Sequence, residues 1–186
     1  MLGIERCVAV GYSMGGPVAQ LLWRRHPERV QGLVLCATAA RFSTSRDERL
    51  NFLGLSGLAA LARLTPTQAR VWLTEQLYLQ RKVGLWEPWA IREAAMHDWR
   101  AVLEAGRAIG QFSSGDWIGE IDVPASVLIT LRDHVVPVRR QIALFEAIPD
   151  AEAFRVDGDH DVVVVGADRF VPILQRAVHS VIERTA

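Results

Sequence analysis

The sequence comprises 186 residues, of which 50% are hydrophobic and 23% are charged. It is therefore long enough for one domain with a sizeable core and too apolar for a disordered chain. Lysine plus arginine and aspartate plus glutamate number 21 each, so the formal net charge is zero. This balance disfavours a nucleic-acid partner or an anionic membrane surface, because both are held by an excess of basic side chains.

Cysteine usage and the N-terminus indicate the compartment. Cys7 and Cys36 both fall in predicted buried strands, where free cysteine behaves as a small hydrophobic residue, so a disulfide framework is not indicated. The N-terminus has no basic region followed by an apolar stretch, and no signal peptide is recognisable. The longest uncharged apolar run, Asn51 to Ala62, is too short to cross a bilayer. We therefore expect a cytoplasmic protein without a membrane span.

The first predicted elements are a strand, a very tight turn and a helix. Cys7 to Val10 is short and apolar, which is typical of a parallel strand buried on both faces. Pro17 lies where the first turn of a helix tolerates a missing N–H. Gly11 and Gly15 are expected to relieve the crowding of so sharp a turn. Ser13 lies at the turn, next to backbone N–H groups and a helix N-terminus, which favours a nucleophile over a purely structural glycine-rich turn.

This stretch carries a family resemblance. Residues 11–16, Gly-Tyr-Ser-Met-Gly-Gly, followed by Arg24-Arg25-His26-Pro27-Glu28-Arg29-Val30, resemble the nucleophile elbow of the α/β-hydrolase superfamily. The esterase, lipase and cofactor-free haloperoxidase-like members are most similar. The resemblance implies an α/β fold with a parallel sheet flanked by helices, and an oxyanion held partly by the Met14 backbone N–H. A serine rather than an aspartate at the elbow argues against the dehalogenase and epoxide hydrolase branches.

The elbow comes very early in the chain. In the superfamily, the first half of the sheet and the loop with the second oxyanion donor precede the elbow. We therefore expect the C-terminal part of an α/β-hydrolase fold, in which the strand through Val8 exposes an apolar edge. Such an edge invites self-association or pairing with another chain. An inactive or split fragment is accordingly an alternative to an active enzyme.

The middle of the chain has a different pattern. Val30 to Cys36 is predicted as the next parallel strand, but from residue 41 to 120 the pattern is helical, which predicts a helical cap inserted between core segments 1–40 and 121–186. The cap would form an apolar lid that receives an acyl or alkyl group, or its aromatic rings would simply pack it onto the sheet. Five tryptophans fall within it: Trp72, Trp86, Trp89, Trp99 and Trp117.

After the predicted cap, the strand Val123 to Thr130 leads into a loop with an acidic residue, Asp133. In the resembling superfamily the acid of a catalytic triad occupies this kind of loop, ahead of a Val-Pro pair such as Val136-Pro137. A carboxylate that caps the following helix is the alternative. His134, next to Asp133, is interpreted as structural or solvent-facing.

A histidine follows the last predicted strand, Ala153 to Val156. His160 lies in the loop after this strand and completes the order Ser, Asp, His along the chain. The other histidines fall in helices, in the predicted cap or beside Asp133. The candidate catalytic residues are therefore Ser13, Asp133 and His160, and a terminal helix is predicted from about Ala167 to Arg184.

One residue departs from the resemblance. Members of the superfamily usually have glycine directly before the catalytic histidine, whereas Asp159 precedes His160 here. Asp157, Asp159 and Asp161 are together expected to favour the protonated ring and to weaken it as a base at neutral pH.

Neither a metal nor a cofactor is expected. The aspartates at 157, 159 and 161 resemble a calcium loop, but Val162 stands where such a loop needs glycine and Asp168 where it needs a bidentate glutamate. The expected partner is a small, uncharged carboxylic ester, cleaved through an acyl-enzyme on Ser13. Transfer of the acyl group to peroxide or an alcohol is a further alternative.

Overall fold

The structure, a computed structural model, describes residues 3–43, 89 and 99–185. Four strands in these ranges form one parallel sheet in the order β1-β2-β3-β4. The predicted α/β architecture with a parallel sheet is therefore confirmed. The strands are β1 (Cys7–Tyr12), β2 (Val30–Cys36), β3 (Ala125–Thr130) and β4 (Glu152–Val156).

Helices follow the strands, as parallel pairing requires. They are α1 (Gly15–Arg25), α2 (Trp99–Gln111), α3 (Val138–Ala147), α4 (Val162–Val165) and α5 (Ala167–Arg184), with 3₁₀ turns at Pro27–Arg29 and Ile118–Glu120. None of the helices in the described ranges combines the length and the apolar character that a membrane crossing requires.

Both faces of the sheet are covered. Along β2, Leu33 and Leu35 belong to one core cluster, and Val34 and Cys36 belong to the other. This alternation follows from the two-residue period of a strand, and the cover on both faces explains why β2 and β3 are buried along nearly their whole length and are mainly apolar. Helices α1 and α3 pack on the first face through Trp23 and Leu144, and α5 packs on the second through Phe170, Ala177 and Val181.

Strand β1 lies at one edge of the described sheet. Val10 in this strand is 51% exposed. Cys7, at the start of the same strand, is partly exposed, whereas Cys36 in β2 is buried. The prediction that both cysteines are buried is therefore wrong for Cys7, because only one side of an edge strand is paired. Self-association through this edge stays a prediction.

The chain divides into two compact units, Met1–Phe42 with Phe112–Ala186 and Ser43–Gln111. The first unit contains all four of the strands described above. Arg41 and Ser113, which flank the second unit in the chain, form an isolated antiparallel bridge within the first unit. Residues 112–120, which the sequence placed in the cap, group with the first unit. A cap role for the second unit stays a prediction.

The five tryptophans of the predicted cap do not share one environment, and two of them are not among the described residues. Trp72 and Trp86 lie outside the described residues, and Trp99 is described only as the first residue of α2. Trp89 is 56% exposed. Trp117 stacks on Trp23 with ring centroids 6.3 Å apart, so it belongs to the packing of the first unit.

Candidate active site

Ser13 lies in the turn between β1 and α1 with a φ of +50°, in the left-handed region that residues with a side chain rarely adopt. Its main chain is held from the neighbouring strand. The Ser13 N–H donates to the Cys36 carbonyl oxygen at 2.9 Å, and the Thr38 hydroxyl donates to the Ser13 carbonyl oxygen at 2.8 Å. Strained conformations persist only where such contacts over-determine them, and they are typical of functional sites.

The glycines around Ser13 differ in how much space a side chain would have. A Cβ built on Gly11 would lie 2.2 Å from the Gly15 carbonyl oxygen, and one on Gly16 would lie 2.1 Å from the Thr38 hydroxyl oxygen. A Cβ on Gly15 would meet nothing within 4 Å. The expectation that Gly15 relieves crowding by lacking a side chain is therefore wrong, because it is the Gly15 backbone that approaches Gly11. Gly16, and not Gly15, is the second glycine at which a side chain would clash.

Asp133 lies in the loop after β3, and donors enclose its carboxylate. Oδ1 accepts the backbone N–H groups of Val135 and Val136 at 2.9 and 2.7 Å. Oδ2 accepts the Thr130 hydroxyl at 2.6 Å and lies 2.9 Å from Nδ1 of His160. Burial raises the pKa of Asp133, but the hydrogen bonds, that from His160 foremost, outweigh burial and hold this pKa below its ordinary value. The carboxylate is therefore ionised at neutral pH.

A buried glutamine on α3 supports this carboxylate. The Gln141 amide nitrogen donates to the Val136 carbonyl oxygen at 2.8 Å and lies 3.2 Å from Asp133 Oδ2. Its amide oxygen accepts the Thr130 N–H at 3.0 Å. Nothing in the sequence singles out Gln141, because a buried glutamine resembles an exposed one in a helical pattern. Asp133 itself does not cap α3, whose N-cap, Pro137, has no side-chain capping bond.

His160 lies in the loop after β4, and its ring connects the other two predicted residues. Nε2 is 2.8 Å from the Ser13 hydroxyl oxygen, and Nδ1 is 2.9 Å from Asp133 Oδ2. The side chain is 19% exposed. With Nδ1–H donating to the carboxylate, Nε2 is left to accept the serine proton. The structure thus brings together all three residues that the sequence named.

Two residues for which the sequence did not predict this role hold the main chain of His160. The Tyr12 hydroxyl donates to the His160 carbonyl oxygen at 2.7 Å. The Asp159 carboxylate accepts the His160 N–H at 2.6 Å. The Tyr12 contact joins β1 to the loop after β4 and has no periodic or motif signal in the sequence, whereas Asp159 and His160 are adjacent residues.

Met14, the predicted oxyanion donor, is the N-cap of α1 and directly follows Ser13. The first backbone N–H groups of a helix have no carbonyl partner within it and carry partial positive charge. Such groups suit an oxygen that becomes negative next to the serine. Met14 is 46% exposed.

Asp157 and Asp159, two of the three aspartates near His160, form ion pairs with other residues. Asp157 lies 2.8 Å from Nε of Arg132, and Asp159 lies 2.9 Å from Nδ1 of His134. The expectation that the charges of Asp157, Asp159 and Asp161 favour the protonated His160 ring stays a prediction. Among the described residues, no group of three or more histidine, cysteine, aspartate or glutamate side chains is arranged to hold a metal ion.

Strand order, elbow and hydrogen-bonded side chains together define the class of protein. The chain belongs to the α/β-hydrolase fold family, whose sequence model matches residues 1–167. The resemblance inferred from the elbow is thereby confirmed.

Individual relatives refine this placement. The putative carbamate hydrolase RutD of Agrobacterium fabrum is 26% identical over 176 residues, which cover 91% of this chain and 66% of the relative. The chain thus spans just under two thirds of that relative's length.

Solved structures show the same fold. The enol-lactonase from Burkholderia xenovorans superimposes with a TM-score of 0.71 at 24% identity, covering 96% of this chain and 67% of that one. A thermophilic esterase from Thermogutta terrifontis gives a TM-score of 0.71 at 19% identity, covering 95% and 66%. At these identities the likeness concerns the fold alone.

Proposed function

We propose that the protein is a serine hydrolase that cleaves an uncharged carboxylic ester through an acyl-enzyme, with Ser13, His160 and Asp133 as its catalytic residues. One observation carries the proposal. The His160 ring lies between the Ser13 hydroxyl, 2.8 Å from Nε2, and the Asp133 carboxylate, 2.9 Å from Nδ1. Both distances are within the reach that proton transfer and ring orientation require.

The first step forms the acyl-enzyme. Nε2 of His160 takes the hydroxyl proton of Ser13 as the serine oxygen attacks the ester carbonyl carbon. The carbonyl oxygen becomes negative and accepts the backbone N–H of Met14 at the start of α1. The tetrahedral intermediate then collapses, and His160 returns its proton to the leaving alcohol. Water, activated by the same ring, cleaves the acyl-enzyme and restores Ser13.

The charge on Asp133 supports this cycle. Its hydrogen bonds keep the pKa of Asp133 below the ordinary value, so the carboxylate remains ionised while His160 gains and loses a proton. A fixed negative charge 2.9 Å from Nδ1 stabilises the imidazolium that forms in both steps. It also holds the ring with Nε2 toward Ser13.

A carbamate is the second candidate substrate. A carbamate also presents a carbonyl carbon to a nucleophilic serine, so the same three residues serve both reactions. The observation that favours it is the 26% identity to a protein named as a putative carbamate hydrolase. We rank the ester first because the sequence around Ser13 resembles that of the esterase and lipase members of the family.

Active-site labelling tests the nucleophile. The purified chain and its Ser13→Ala variant are treated with a fluorophosphonate, and the labelled peptide is identified by mass spectrometry. We expect one label on Ser13 and none on the variant. Equal labelling of both chains, or no labelling of a folded wild-type chain, contradicts the proposal and favours a non-catalytic role.

Turnover then separates the substrates. Hydrolysis of p-nitrophenyl acetate and of a p-nitrophenyl carbamate is followed for both chains. Activity that is lost in Ser13→Ala and is greater on the acetate supports ester hydrolysis, whereas the reverse order supports the carbamate. Products that shift to a transferred acyl group when an alcohol or peroxide is added indicate acyl transfer instead of hydrolysis.

A further inference from the structure

The loops after β3 and β4 are joined by the side chain of Asp159. Its Oδ1 accepts two backbone N–H groups, that of His134 at 3.0 Å and that of His160 at 2.6 Å. Its Oδ2 lies 2.9 Å from Nδ1 of the His134 ring. His134 directly follows Asp133, and Asp159 directly precedes His160. One carboxylate therefore binds the main chain next to the candidate acid and that of the candidate base.

These contacts differ in strength. The His134 side chain is 83% exposed, and an ion pair so open to water contributes little. Hydrogen bonds from backbone N–H groups to an ionised carboxylate are shorter and stronger than neutral ones. Desolvation opposes ionisation, but the hydrogen bonds from His134 and His160 prevail and lower the pKa of Asp159 to about 2. The two backbone contacts hold the main chain next to Asp133 and that of His160, and the contact with the His134 ring adds to them.

We infer that Asp159 is a positioning residue whose carboxylate, together with the backbone hydrogen bonds from Leu131 to Val156 and from Arg132 to Gly158, sets the distance between His160 Nδ1 and Asp133 Oδ2. It does not touch the reacting atoms and acts through the main chain of His160. The kinetic consequence rests on the proposed function, because it assumes that His160 and Asp133 are catalytic. The structural consequence, order in both loops, does not depend on that function.

The same two loops offer a matched control. Asp157 also pairs with a cation of the β3 loop, since its Oδ1 lies 2.8 Å from Nε of Arg132. These side chains are 63% and 61% exposed. The contact is a surface ion pair and involves neither His160 nor Asp133. Asp157→Ala therefore removes a carboxylate and an interloop charge contact without removing a bond to the His160 main chain.

The kinetic test compares Asp159→Ala, Asp159→Asn and Asp157→Ala on p-nitrophenyl acetate. We expect Asp159→Ala to lower kcat by about tenfold or more with KM within about twofold, because misplaced catalytic groups affect mainly the chemical step. Asp159→Asn should stay within about threefold of wild type, since its amide oxygen accepts the same N–H groups. Asp157→Ala should match wild type. An unchanged or raised kcat in Asp159→Ala, or an equal loss in Asp159→Asn, overturns the inference.

A second measurement does not require turnover. Amide hydrogen exchange of His134 and His160 is followed by ¹⁵N NMR in the same variants at pH 6. We expect exchange of both amides to accelerate by about tenfold in Asp159→Ala and to stay unchanged in Asp157→Ala, because only the first loses the acceptor. Unchanged exchange in Asp159→Ala overturns the inference. Accelerated exchange in a chain without labelling or turnover means that the proposed function fails and the positioning role stands.

Discussion

The hydroxyl of Tyr12 donates to the main-chain carbonyl oxygen of His160 across 2.7 Å. The tyrosine ring also lies 5.7 Å from the imidazole and meets Phe170 edge-on, with centroids 5.5 Å apart. The residue before Ser13 in the sequence thus holds the main chain of the residue that receives the serine proton in the proposed mechanism. The elbow and the histidine loop are linked by this contact as well as by the hydrogen bond between Ser13 and His160.

Tyr12→Phe should therefore weaken both stability and activity. The change removes one hydrogen bond and leaves a carbonyl without its partner, so the free energy of unfolding should fall by about 1 kcal/mol. We expect kcat on p-nitrophenyl acetate to fall several-fold with little change in KM. Burial raises the pKa of Tyr12, so the hydroxyl stays a donor at every working pH. Wild-type stability in urea together with wild-type kcat would contradict this role.

Gln141→Leu should be strongly destabilising. The change keeps the side-chain volume similar but leaves the Thr130 N–H and the Val136 carbonyl oxygen buried without their partner. Each orphaned group costs about 1–3 kcal/mol. The matched control is Gln111→Leu at an exposed position, which should stay within about 0.5 kcal/mol of wild type. Urea unfolding of both variants measures the difference, and similar values for the two would show that the Gln141 contacts contribute little.

The glycines of the elbow should respond differently to alanine. In Gly11→Ala the new Cβ would lie 2.2 Å from the Gly15 carbonyl oxygen, so backbone must move, at a cost of about 3 kcal/mol or more. Gly15→Ala meets open space in the first turn of α1, and alanine favours helix, so its stability should change by less than about 1 kcal/mol. Thermal and urea unfolding of the pair measure both effects. Equal losses would mean that the turn tolerates no Cβ at either position.

Stability should fall in acid. The pKa of Asp133 lies below its ordinary value of 3.8, and that of Asp159 is about 2. A carboxyl group with a depressed folded-state pKa contributes stability above its unfolded pKa and loses that contribution as the pH falls through the folded value. Unfolding free energy should therefore decline below about pH 4, and less steeply in Asp159→Asn. Urea unfolding at pH values from 5 to 2 measures how steeply the unfolding free energy falls in the wild type and in Asp159→Asn. Identical slopes would show that Asp159 does not contribute to the loss of stability in acid.

The sequence predicted the elements that have a strong local signal. The bounds of β2 and α5 match the expectation because an apolar strand and a long amphipathic helix are each marked by their own periodicity. Helix α4, a run of four valines, was not anticipated. Valine favours strands by propensity, and here the loop that carries His160 overrides that preference.

The candidate site was predictable only in part. Ser13, Asp133 and His160 were identified because each follows a strand in the order that the family uses. Tyr12 was given no role, and Asp159 was given only an effect on the protonation of His160. The contacts of Tyr12 with His160 and of Asp159 with His134 were not predicted, because they join different parts of the chain. The partners are 148 residues apart in one case and 25 in another. Such pairs follow from the packed fold and not from any local pattern.

The bridge between Arg41 and Ser113 also bears on how this chain can vary. Both Nε and Nη2 of Arg41 lie 3.1 Å from the Ser113 hydroxyl oxygen. The chain therefore leaves the first unit and re-enters it through neighbouring stretches of backbone. The entropy of closing a connection grows only slowly with its length. We therefore expect that a change in the length of the segment at positions 43–111 leaves the spacing of the loops that carry Ser13, Asp133 and His160 unchanged.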